Sequence, residues 1–132
     1  MKTVLIATLI FSSSTLAATD CKNAQNTLQI AQCKEQQTVL AKKQMKQYLR
    51  KAKSAYQSQP QASKAIIESQ MQWQNYAKAQ CKAVYQMFAQ GTIVSIMTAD
   101  CDYQTVKQRT HDIWRDFLQT LSGDPLLPEP SK

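Results

Sequence analysis

The residues with the most chemistry to offer are four cysteines, Cys21, Cys33, Cys81 and Cys101. Thiols can hold zinc, run a redox cycle, carry a lipid or close disulfides, and spacing separates these uses. Zinc would need four ligands, but the chain has one His and no closely spaced Cys pair, which argues against a metal site. A redox pair would read Cys-x-x-Cys, and that motif is absent. A lipidated cysteine would follow a small residue, whereas Asp20 stands directly before Cys21. An even cysteine count in an exported chain reads as a disulfide framework.

Other chemistry finds few residues. There is no Ser-His-Asp order, no zinc-binding helix motif and no Gly-rich phosphate loop. Asp100 and Asp102 are two apart, which points them to different faces of a helix. No enzyme, cofactor or metal is therefore expected. Binding chemistry is better represented. Lys42, Lys43, Lys46, Arg50 and Lys53 fall on one arc of a helix, where they can form a solvated face or meet an anionic envelope polymer. No base-stacking aromatic array accompanies them, so nucleic acid is not an expected partner.

The elements that must position these residues are helices. The chain opens MKTVLIATLIFSSSTLAATD, with one lysine, a short apolar run and small residues suited to cleavage. That is the layout of a secretory signal over residues 1–18, too short to span a bilayer. With Lys2 removed, 15 basic residues face 9 acidic ones, a net charge of +6. Gly occurs twice and Pro four times, with Pro60 in one turn and Pro125, Pro128 and Pro130 near the end. So few turn residues favour an all-α domain over residues 19–122, with a disordered Pro-rich tail over 123–132.

Three helices are predicted. The first runs from near Thr27, capped by Asn26, to about Tyr56, with Ala41, Met45, Tyr48, Ala52 and Tyr56 on one face. The second runs from about Gln61 to Phe88, burying Ile66, Gln70, Trp73, Ala77, Cys81, Val84 and Phe88. Gly91 is expected in a left-handed cap and Thr92 at the start of the third helix. That helix carries Val94, Met97, Cys101, Val106, Thr110, Ile113, Phe117 and Leu121. Trp73 and Tyr76 are expected in the core, and Arg109 and Asp112, three apart, are spaced to pair or to tie helices together.

Short connections make an antiparallel three-helix bundle. Cys81 and Cys101 are then symmetric about Gly91 and face each other, while Cys33 lies at the same end. Cys21 and Cys33 would be about 18 Å apart on one helix, beyond the ~7 Å that a disulfide spans, so pairing them needs a turn between. Cys21–Cys33 with Cys81–Cys101 is the preferred reading, and Cys33–Cys81 with Cys21–Cys101 stays open.

Taken together, "CKNAQNTLQIAQC", "QMQWQNYAKAQC", Gly91-Thr92 and "CDYQTVKQRTHDI" resemble the N-terminal domain of LprI-like lysozyme inhibitors. These are small exported helical domains with four cysteines, a Trp eight residues before the third and an Arg eight residues after the fourth. Those positions are Cys21, Cys33, Cys81, Cys101, Trp73 and Arg109 here. The resemblance reaches to about Leu118, and Tyr76, Gly91 and Asp112 fall among its structural positions. The chain departs from the pattern at Lys42, Met45 and Lys46, and at Ala77, Lys78 and Gln80, where three acidic positions have become neutral or basic.

The resemblance implies an exported protein, periplasmic or secreted, that inhibits lysozyme. Lysozymes are typically basic, so two cationic proteins would meet through a local acidic or apolar contact. With no reactive group available, inhibition is expected by steric occlusion, through the turn at Gln90 and Thr92. The alternative is a structural or stress-related envelope protein holding an anionic polymer on its basic helix face.

Overall fold

The computed structural model describes residues 21–121 and 123–131, so the expected signal segment, residues 1–18, lies outside the described residues. A 3₁₀ turn, Cys21–Asn23, leads into α1 (Thr27–Ala55), α2 (Pro60–Phe88) and α3 (Val94–Phe117). Among the described residues there is no strand, and the architecture is the predicted three-helix bundle with two disulfides.

Local chemistry explains the helix ends. Asn26 is extended, and its side-chain oxygen accepts the Gln29 N–H at 2.9 Å, satisfying one of the free donors of the first turn. Gln29 returns a bond to the Gln25 N–H at 2.8 Å. Pro60 is the first residue of α2, where its missing N–H costs nothing and its fixed φ suits the helix.

The register can be followed from side chains. Lys34 on α1 meets Asp100 on α3 at 2.7 Å, and the Lys34 ammonium lies 5.1 Å from the centre of the Tyr103 ring. α1 and α3 run parallel, and theirs is the most extensive contact in the molecule. α2 runs antiparallel to both and packs mainly on α3, touching α1 only lightly. The core is Ala41, Met45, Tyr48 and Ala52 of α1, Ile66 of α2, Val106 and Ile113 of α3, and Leu118. α2 therefore buries a narrow stripe.

Two expectations are revised. α3 stops at Phe117, and Leu121 is fully exposed although the apolar spacing reached it. The chain leaves the helix at Leu118 because the following segment turns back: Leu126 N–H donates to the Leu118 carbonyl at 2.8 Å. The described part of the expected disordered tail, residues 123–131, instead lies along α1 and α3. Trp114 Nε1 donates to the Leu127 carbonyl at 3.0 Å and Tyr48 Oη to the Pro128 carbonyl at 2.8 Å. His111 Nε2 lies 3.1 Å from Glu129 Oε1, Leu127 packs on the core and Pro130 is buried. An aromatic N–H or O–H drawn into a core requires an acceptor, and a proline-restricted segment loses little entropy in supplying one.

Candidate functional site

The expected cysteine pairing is the one present: Cys21–Cys33 and Cys81–Cys101, with Cα separations of 5.8 and 5.7 Å. The short turn before α1 folds Cys21 back over Cys33. Both bridges sit at the end of the bundle that carries the α2–α3 turn, and the Lys34–Asp100 ion pair joins α1 to α3 there. Cys81 is buried, its sulfur 3.8 Å from the Thr105 hydroxyl.

The braced turn is Ala89 to Ile93, with Gln90 and Thr92 exposed at its tip. Gly91 does not adopt the expected left-handed conformation, since no glycine among the described residues has a positive φ. The turn is closed by short-range bonds of 3₁₀ type: Gly91 N–H to the Phe88 carbonyl at 2.8 Å, and Val94 N–H to the Gly91 carbonyl at 3.3 Å. These keep the backbone right-handed. Thr92 is not the N-cap of α3 either; Ile93 occupies that place without a side-chain bond.

This turn has a property that no motif records. Residues 83–99 carry no charged side chain in a chain of net +7. Exposed apolar residues are spread through that stretch: Met87 is 76% and Ile93 43% exposed, and Tyr85 is also open to solvent. The opposite end presents Gln57, Ser58 and Gln59, all exposed, beside Lys64 and Glu68.

Arg109 and Gln70 join α3 to α2. Arg109 Nε donates to Gln70 Oε1 at 3.0 Å and a terminal nitrogen donates to Ser69 Oγ at 2.9 Å, tying α3 to α2. Gln70 is only 6% exposed, and its amide nitrogen lies 3.8 Å from the Met45 sulfur on α1. Burial lowers the Arg109 pKa from its usual value, opposed by the nearby carboxylates of Asp112 and Asp116; guanidinium basicity leaves it charged all the same. Asp112 does not pair with Arg109 but accepts from Gln108 and Arg115, each at 3.0 Å. Arg109 is turned inward, and Arg115, one turn beyond Asp112, takes that carboxylate instead. Trp73 packs on the core as expected. Tyr76 does not: it is 59% exposed, because α1 withdraws from α2 and only a narrow face of α2 is covered.

The basic arc is divided by the structure. Lys42, Lys43, Lys46, Arg50 and Lys53 are all exposed, and no acidic side chain lies within ion-pair distance of them among the described residues. Lys42 and Lys46 also rim a groove of about 420 Å³ where α1 and α2 part. Lys78 joins them from α2; Met45, Trp73, Ala77 and Val106 supply apolar walls, and Gln74, Asp102 and Thr105 supply polar groups. Five of the six departures from the family pattern thus meet in one groove. Sequence spacing could not reveal this, because it depends on how far two helices separate.

Among the described residues no group of His, Cys, Asp or Glu could hold a metal ion, and no helix is long and apolar enough to cross a membrane. Residues 18–113 match the family model described as lysozyme inhibitor LprI. No curated relative and no solved structure matches the chain. The matched span holds all four cysteines, Trp73, the Gly91 turn and Arg109, and it covers well over half of the sequence. The chain belongs to the lysozyme inhibitor LprI family.

Proposed function

We propose that this protein is exported and inhibits lysozyme by occlusion, the Gly91 end of the bundle entering the substrate cleft. Family membership supports lysozyme as the target. The location rests on one observation, the uncharged stretch of residues 83–99 with Met87 and Ile93 exposed. A cationic inhibitor and a cationic enzyme repel at long range. A neutral tip puts the least repulsive part of the chain foremost and offers apolar surface for close contact. The Cys81–Cys101 bridge behind the turn limits the freedom that binding would remove, so less affinity is lost to ordering. Two disulfides also fit an oxidising compartment.

Occlusion of this kind is reversible and stoichiometric. Replacing Gln90 or Thr92 with Trp should weaken inhibition at least tenfold while helicity and melting temperature stay unchanged. Inhibition that survives those changes but is lost on altering Gln57 or Ser58 would move the contact to the other end.

A second reading is favoured by the unpaired cations of α1. An envelope protein holding an anionic polymer through Lys42, Lys43, Lys46, Arg50 and Lys53 would lose retention on anionic wall material when Lys42, Lys46 and Arg50 become Gln. An unchanged salt-elution profile would leave that arc as a solvated face.

A further inference from the structure

We infer that the groove between α1 and α2 is a binding site for a small amphiphilic anion, a carboxylate or phosphate carried on one short apolar chain. Two independent features meet there. The first is charge. Lys42, Lys46 and Lys78 converge on the rim from two helices, and among the described residues none of the three has an acidic partner within ion-pair distance. Asp102 is the one carboxylate in the lining, so the rim keeps an excess of positive charge. Ammonium groups held near one another without counter-charges lower their mutual repulsion by taking up an anion.

The second feature is shape. Beneath the lysines the walls are Met45, Trp73, Ala77 and Val106, at a volume of about 420 Å³, within the range of small-molecule sites. Met45 and Val106 belong to the core and fix the floor. The Trp73 indole N–H has no hydrogen-bond partner among the described residues, unlike that of Trp114, which is held by the Leu127 carbonyl. The groove thus offers apolar walls that include the Trp73 side chain, with lysines at the mouth. A wholly polar ion would leave the walls unused, and an uncharged hydrocarbon would leave the lysines unused. This site is separate from the Gly91 tip and does not depend on inhibition of lysozyme.

The test uses the full mature protein without any enzyme. Decanoate, held below its micelle concentration, is titrated while the two indole N–H signals are followed by nitrogen-15 NMR, assigned with Trp73→Phe. A saturable shift of the Trp73 signal with the Trp114 signal still is expected. Replacing Lys42, Lys46 and Lys78 with Gln should weaken binding about tenfold with melting temperature unchanged, since these side chains are exposed. Decyl phosphate should bind at least as well, and the tighter of the two anions identifies the headgroup. Equal binding of decyltrimethylammonium, an affinity unmoved in the triple Gln variant, or no saturable Trp73 shift at millimolar ligand would each overturn the proposal.

Discussion

At the residue scale the most informative side chain is Arg109, because one of its two partners is buried. Gln70 accepts from it and is almost wholly enclosed. Arg109→Ala would leave a buried acceptor unpaired, costing about 1–3 kcal/mol and lowering the melting temperature by roughly 4–8 °C per kcal/mol. Arg109→Lys should recover only part, since one ammonium cannot reproduce a fork that meets both Gln70 and Ser69. An unchanged melting temperature in Arg109→Ala would show that the pair carries nothing. Arg109 was legible in the sequence as a position. Its partner was legible only in hindsight: a Gln within an apolar stripe marks a buried polar group awaiting a donor. Tyr48 is a second case. Burial raises its pKa above the ordinary phenol value, so the fold favours the neutral form that donates to Pro128. That contribution is complete below the unfolded pKa of about 10 and is lost as pH rises through the higher folded value. Tyr48→Phe should lower stability by about 1 kcal/mol at neutral pH and blunt the alkaline decline seen in thermal melts.

At the element scale the α2–α3 hairpin carries the functional proposal. Its turn needs no glycine: a Cβ on Gly91 would meet the Phe88 carbonyl oxygen at 3.4 Å and Ile93 at 3.9 Å, ordinary contacts in a backbone any residue adopts. Gly91→Ala should therefore hold or slightly raise the melting temperature, by up to ~1 kcal/mol of stability through the unfolded chain. A marked loss would mean that the turn is left-handed after all. The bridges behind it matter more. Closing each loop contributes about 2–4 kcal/mol, so reduction should lower the melting temperature sharply, and the folded protein should show no free thiol. Helix positions were readable because Pro and Gly are so few. The exit from α3 was not, since apolar spacing continued to Leu121 while the chain had already turned back to cover Trp114 and Tyr48. Local periodicity cannot register a return contact of that kind.

At the scale of the whole molecule, the segment 123–131 works as a strap over α1 and α3, bonding Tyr48 and Trp114 at once. Ending the chain at Asp124 should leave two aromatic donors without acceptors and strip cover from Leu118, destabilising the bundle by several kcal/mol; an unaltered melt would make the strap dispensable. The composition of that segment pointed to disorder because its prolines are poor helix formers, yet the same prolines suit an extended strap. The groove between α1 and α2 was invisible for a similar reason, as it reflects the unequal packing of three helices and not any one pattern. The charge-free tip is legible in the sequence as the absence of Asp, Glu, Lys and Arg over residues 83–99, a signal that no motif carries. The measurement bearing most directly on the central claim is a titration of lysozyme activity with the purified protein beside its Gln90→Trp and Thr92→Trp variants. Reversible, stoichiometric inhibition by the native protein, lost in both variants with the fold intact, is the result expected. No inhibition of any lysozyme at large molar excess would contradict the proposed function outright.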